Sequence, residues 1–169
     1  MSSIRALVLD VDGVLTDGRL SYDSDGETLK VFHVHDGLGM RLAQQFGMTI
    51  CIISARDSAA LRQRLDDLQV SHRFLGCHNK LEALDAWVSQ QSLGYDEVAY
   101  VGDDVIDLPV LKRVGRPFTV PNAHPLVLAQ VTTVTQRQGG QGAVREVVDQ
   151  LLSEQMGLEA AYAEFLRPY

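Results

Sequence analysis

The stretch LDVDGVLTDG, residues 9–18, sets three aspartates and two glycines directly behind the apolar run Ala6-Leu7-Val8-Leu9. A second acidic stretch, VGDDVID at 101–107, follows the apolar run Val98–Val101. Aspartates brought together without a counter-ion repel and raise each other's pKa. A hard cation removes that penalty. Mg2+ prefers oxygen ligands, keeps several waters and needs only a few carboxylates beside a substrate phosphate. The competing reading makes each aspartate a helix cap or turn former. That suits a lone Asp after a strand better than two acidic motifs at two strand ends.

These groups can meet only if the strands carrying them lie side by side. Ala6–Asp10, Thr49–Ile53 and Val98–Val101 read as apolar strands covered on both faces, with shorter candidates at Arg73–Leu75, Pro117–Val120 and Thr132–Val134. Helical stripes fall between and after them: Leu38, Leu42 and Phe46; Leu61, Leu65 and Leu68; Leu81, Leu84 and Val88; and Val144, Val147, Val148, Leu151 and Leu152. The alternation predicts an α/β fold, a Rossmann-like parallel sheet with helices on both faces. Ligands of such sheets bind beyond the carboxyl ends of the strands. Asp10 and Asp12, Ser54, and Asp103 and Asp104 then arrive at one edge. One segment interrupts the alternation: RLSYDSDGETLKVFHV, 19–34, has two β-prone runs around Asp23-Ser24-Asp25-Gly26 and predicts a projecting hairpin.

The 169 residues suit one domain, 1–169, ending in an amphipathic tail from about 156. In that tail Leu158, Tyr162 and Phe165 share a side, fit either to dock on another subunit or to extend the last helix. A net charge of −7 argues against nucleic acid as a partner. No stretch nears the roughly 18 apolar residues of a membrane span, and the first residues lack the apolar core of a secretory signal. The expectation is a cytoplasmic protein with no membrane partner. Its two cysteines, Cys51 and Cys77, are not expected to pair there. Cys77 and His78 alone supply too few ligands for a zinc site.

Taken in order, Asp10-Val11-Asp12-Gly13-Val14, Ser54, Lys80 and Gly102-Asp103-Asp104-Val105-Ile106-Asp107 resemble the four motifs of the haloacid dehalogenase superfamily of phosphotransferases. The resemblance implies catalytic roles for four residues. Asp10 is the nucleophile that forms an aspartyl-phosphate, and Asp12 the acid and base. Ser54 is a donor to the phosphoryl oxygens, and Lys80 neutralises charge. It implies Mg2+ held by Asp10, the Asp12 carbonyl and Asp103, with Asp104 and Asp107 behind them. Ser54 and Lys80 read alone are equally a helix cap and a solvated lysine.

The spacing between the motifs leaves no room for a cap domain, only for the hairpin and single helix–strand units. A small open site needs something to exclude water. A neighbouring subunit is the natural candidate; an open site acting on a phosphoprotein is the alternative. DGVLTDG, GETLKVFHVHDGLGMRL, NKL, AYVGDDVIDLPVLKRVG, NAHP and GGQGAVREVVDQLL are similar to the capless, tetrameric 3-deoxy-D-manno-octulosonate 8-phosphate phosphatases, up to about residue 152. That resemblance implies a small sugar acid phosphate as partner, a homotetramer, and a role in lipopolysaccharide biosynthesis. It implies substrate contacts from His33, Val34, His35, Asp36, Gly37, Arg41, Arg56, Arg64 and Lys80. Arginines suit a substrate bearing both carboxylate and phosphate.

The chain departs from that pattern at His35 and Gln141, where arginine is common, and in Ser54-Ala55-Arg56, where Thr-Gly-Arg is common. The lost positive charge keeps an acylneuraminate 9-phosphate substrate open. An idle Mg2+-binding interaction module is the reading from another class. The glycine-rich run Gly139-Gly140-Gln141-Gly142 is either an anion cradle before a helix or a tight connection.

Overall fold

The computed structural model describes residues 3–167, without the side chains of Glu27 and Thr28. Five parallel strands form one sheet: β1 (Ala6–Leu9), β4 (Thr49–Ser54), β5 (His72–Leu75), β6 (Val98–Val101) and β7 (Arg116–Phe118), in the order β5-β4-β1-β6-β7. Every residue of β1 and β6 is fully buried. Both faces of the central strands are therefore covered, as their unbroken apolar runs require. α1 (Val34–Gln45) packs with α6 (Ala143–Met156), and α3 (Lys80–Gln90) with α4 (Leu108–Leu111). α2 (Ala59–Asp67) and the short α5 (Pro125–Leu128) complete the connections.

Local chemistry sets the helix starts. The Ser58 hydroxyl accepts from the Leu61 N–H and caps α2. The Asn79 side chain does the same for α3 through the Glu82 N–H, and His33 Nδ1 accepts from the His35 N–H at the head of α1. The stripe Val144, Val147, Val148, Leu151 and Leu152 is buried, as its spacing predicts. Leu38 departs from its predicted face: it stays 40% exposed, while Met40, Leu42 and Ala43 face the core.

Three expectations need correction. The hairpin is shorter than 19–34. Its arms are β2 (Ser21–Asp23) and β3 (Gly26–Leu29), and Val34 already belongs to α1 because His33 caps that helix. Thr132–Val134 is no strand; it makes one isolated parallel bridge, Thr119 to Val134. The tail does not extend the last helix. Gly157, at φ +84°, ends α6, and α7 (Leu158–Leu166) folds back onto it. Tyr162 and Phe165 pack against the core of their own chain.

Among the described residues, only the hairpin and α1 stand between β1 and β4. The fold carries no cap domain.

Candidate active site

The sheet register builds the site. Leu9 pairs with Ile52 on one side and Val101 on the other. One step further, Asp10 emerges beside Ile53 and Gly102, so Ser54 and Asp103 arrive at the same edge. Asp10 is buried, and its N–H donates to the Val101 carbonyl at 3.0 Å. The following loop turns tightly, with the Val11 carbonyl accepting from the N–H groups of Val14, Leu15 and Thr16. Gly13 sits at φ +93°, and a Cβ there would lie 1.9 Å from Asp103 Oδ2. Only glycine lets the first acidic loop approach the second this closely.

A charged network lies under that edge. Lys80, the first residue of α3, has a side chain 1% exposed. Its Nζ donates to Asp10 Oδ1 at 2.8 Å and to Asp107 Oδ1 at 2.7 Å. Asp107 also accepts from Tyr100 Oη at 2.5 Å and from the N–H groups of Asp103 and Asp104 at 3.1 Å each. Burial pushes the Asp10 carboxyl up to about 6, with the Asp107 charge adding to the shift against the pull of Lys80. Burial, then the charges of Asp10 and Asp107, push Asp103 up to about 8. Burial alone would lower Lys80, but the two carboxylates outweigh it and hold the ammonium above its usual range. Burial likewise drives the Tyr100 phenol well above its ordinary value, so it serves as a neutral donor.

The carboxylates of Asp10, Asp103 and Asp107 offer ligand atoms within 4.8 Å of one another. Asp107 is the weakest of the three as a ligand, because four donors already occupy its oxygens. Asp103 Oδ1 is buried without a hydrogen-bond partner. A buried, unpartnered carboxylate oxygen beside a second carboxylate of raised pKa fits a hard divalent cation. Asp10 and Asp103 are the side chains that would hold it.

Ser54 is buried at the end of β4, where its Oγ accepts from the Arg56 N–H at 3.2 Å. Its own proton is left to donate. The Asp12 carboxylate is 21% exposed; Oδ1 takes a hydrogen bond from Lys30 Nζ at 2.5 Å, and Oδ2 stands 4.0 Å from Arg56 Nε. Asp104 is exposed and bonds the Val105 N–H at 2.7 Å, which makes it a cap and not a support for the metal ligands.

The α1 residues expected to touch substrate separate. His33 and His35 face each other at the head of α1, rings 5.0 Å apart, and Val34 is exposed there. Arg64 lies 5.8 Å from the Phe32 ring centroid and against Gly37, where a Cβ would meet its guanidinium at 2.3 Å. Asp36 is 1% exposed, and its Oδ1 accepts from the Arg145 N–H at 2.8 Å. It ties down the start of α6, while its Oδ2 is buried without a hydrogen-bond partner. Arg41 bonds Gln69 Oε1 at 2.5 Å and the Leu68 carbonyl at 3.5 Å, at the C-terminal end of α2. That end lies opposite the edge bearing Asp10, because α2 runs antiparallel to the strands. Within one chain, Arg41 does not reach the site. The glycine-rich run is a tight connection: a Cβ on Gly139 would lie 1.7 Å from the Gly13 carbonyl oxygen, and the Gly140 N–H bonds the Val14 carbonyl.

Sequence reasoning missed three residues. Lys30 holds Asp12. Tyr100 braces Asp107. Asn122 bridges the Gly13 carbonyl and the Gly139 N–H at 3.1 and 2.8 Å. A lysine after a hairpin strand reads as solvated, and a tyrosine in an apolar run reads as core, so neither carries a local signal.

A family model described as haloacid dehalogenase-like hydrolase matches residues 76–147. The 3-deoxy-D-manno-octulosonate 8-phosphate phosphatase of Escherichia coli K12 is 43% identical over 159 residues, covering 94% of this chain and 85% of that protein. The crystal structure of the phosphatase of the same name from Yersinia pestis is 41% identical, with a TM-score of 0.90, covering 93% of this chain and 85% of that one. The Moraxella catarrhalis phosphatase, solved in complex with magnesium ion, phosphate ion and a KDO molecule, is 38% identical. Its TM-score is 0.92, and the match covers 96% of this chain and 94% of that one.

Proposed function

This chain belongs to the haloacid dehalogenase-like hydrolases, among the 3-deoxy-D-manno-octulosonate 8-phosphate phosphatases, and on that premise we propose that it hydrolyses that sugar acid phosphate to the free acid and inorganic phosphate with Mg2+. The observation that carries the chemistry is the buried Asp10 carboxylate, held by Lys80 at 2.8 Å beside the unpartnered oxygen of Asp103.

A carboxylate oxygen of Asp10 attacks phosphorus. The ester P–O bond breaks, its electron pair goes to the sugar oxygen, and Asp12 protonates that oxygen. Water then attacks the phosphorus of the aspartyl-phosphate and gives its proton to Asp12. The bond to Asp10 breaks, and inorganic phosphate leaves. Ser54 donates to a phosphoryl oxygen, and the Lys80 ammonium offsets charge on Asp10 throughout. Asp10, Asp103 and the Asp12 carbonyl are the groups that would hold Mg2+, which when bound would supply positive charge to offset that on the phosphoryl group. Arg56, Arg64, His33 and His35 are the cationic and polar groups available to the sugar acid.

The hairpin and the segment after it expose Leu20, Tyr22, Leu29, Val31 and Val34. That much exposed apolar surface beside an open site supports a homo-oligomer, a tetramer by resemblance, whose neighbours shield the substrate. No helix among the described residues is long and apolar enough to cross a membrane. Cys51 and Cys77 are free thiols, which suits a cytoplasmic enzyme.

The test is phosphate release with Mg2+ across phosphorylated metabolites that include 3-deoxy-D-manno-octulosonate 8-phosphate, N-acetylneuraminate 9-phosphate and a phosphopeptide. Preference for the eight-carbon acid is expected. Preference for another ester moves the substrate assignment, and no release from any of them overturns the enzyme reading.

A further inference from the structure

Lys30 is the buried lysine the reaction above leaves unused. It stands one residue beyond β3, on a hairpin whose Tyr22 and Leu29 are solvent-exposed, yet its side chain is only 2% exposed. Lysines at such positions ordinarily keep the ammonium in water. This one turns inward and donates to Asp12 Oδ1 at 2.5 Å.

The other oxygen of Asp12 faces Arg56, whose guanidinium donates to the Tyr22 hydroxyl and lies 5.9 Å from the Tyr22 ring centroid. Both oxygens of Asp12 therefore face cations that the hairpin supplies or grips: Lys30 follows β3 directly, and Arg56 is held by Tyr22 of β2. An isolated two-stranded hairpin is marginally stable in water. These contacts fix this one to the sheet and fix Asp12 in return.

We propose that Lys30 is a positioning residue that aims the Asp12 carboxylate at the leaving oxygen, with Tyr22 and Arg56 bracing the other side, so that the hairpin is part of the acid–base apparatus. This rests on Asp12 being the proton carrier of the reaction proposed above. Asp12 stands on a loop, and a proton donor must keep hydrogen-bond reach of its target through the transition state. Lys30 contributes geometry, not the proton.

The leaving group separates positioning from general structural support. A sugar alkoxide needs a proton as it departs; p-nitrophenolate leaves without one. The experiment measures kcat/KM for 3-deoxy-D-manno-octulosonate 8-phosphate and for p-nitrophenyl phosphate, in wild type, Lys30→Met and Tyr22→Phe, all with saturating Mg2+. Lys30→Met is expected to lose about 10- to 100-fold on the alkyl ester and less than about 3-fold on the aryl ester, part of the ~100- to 10,000-fold that acid–base catalysis supplies. Tyr22→Phe shows the same selectivity at smaller size. Equal losses on both esters, or none on either, overturn the proposal while leaving the phosphatase reading intact. A wild-type protein that releases phosphate from neither ester, nor from any other metabolite of the panel above, overturns the phosphatase reading itself. Circular dichroism checks the fold. If Lys30→Met does not fold, Tyr22→Phe decides, since its ring is largely exposed: selective loss on the alkyl ester supports the proposal, and parity overturns it.

Discussion

At the residue scale the site is an electrostatic imbalance that a cation corrects. Lys80 sits between Asp10 and Asp107, and Asp103 has no cation of its own on the described contacts. Metal-free, Asp10 and Asp103 keep their protons to about 6 and about 8, well above the ordinary 3.8. The folded state then binds more protons than the unfolded chain, so stability falls as pH rises from near 4 through 8. Mg2+ competes with those protons. Thermal melts in chelator are expected to show a falling Tm across that window, and Mg2+ to raise Tm more at pH 8 than at pH 5. A Tm gain independent of pH would count against these carboxylates as the ligands. Asp10→Asn removes the nucleophile and is expected to cut turnover by about 10,000-fold or more while the circular dichroism spectrum is kept. Lys80→Met leaves two buried carboxylates uncompensated and is expected to cost about 3–5 kcal/mol of unfolding free energy in chelator.

At the element scale, close backbone approach holds the acidic loops in register. The first loop meets the second at Gly13 and the glycine-rich connection at Gly139, and Asn122 ties the first loop to that connection. Gly139→Ala places a methyl group against the Gly13 carbonyl and is expected to cost about 1–3 kcal/mol, with activity lost as the loop carrying Asp12 shifts. Asp36 also acts at this scale. It joins α1 to the start of α6 through the Arg145 N–H. Asp36→Ala is expected to cost about 1–2 kcal/mol in urea titration, as other lost helix N-terminal bonds do, with KM unchanged. A large rise in KM without loss of stability would return Asp36 to the substrate.

For the whole molecule, the missing cap is the governing fact. The site lies at the edge of the sheet, and Leu20, Tyr22, Leu29, Val31 and Val34 on the hairpin and at the head of α1 are among the exposed apolar side chains. Light scattering is expected to give an oligomer, and Val31→Glu, at a position 68% exposed, to shift it toward monomer with KM raised before kcat falls. A clean wild-type monomer with full activity would show that the substrate needs no neighbour to cover it.

The apolar runs, the stripe of α6 and the spacing of the acidic motifs are local patterns, sufficient for the parallel α/β sheet and for bringing Asp10, Ser54 and Asp103 to one edge; Lys80, which alone reads as a solvated lysine, joins them only through the family resemblance. Burial of a strand and its exit into a loop depend on neighbouring residues in the chain, so the sequence itself encodes them. The division of labour among the carboxylates is not local. Asp107 becomes a hub because Tyr100, Lys80 and two backbone N–H groups converge on it. Asp36 becomes a structural anchor through a partner 109 residues away, and Asp12 is held by a lysine 18 residues away. The sequence determined which groups are present and the edge they reach. Only tertiary contact decided which of them bind, which brace and which stay free to react, because a buried charge takes its role from the partners that folding brings to it.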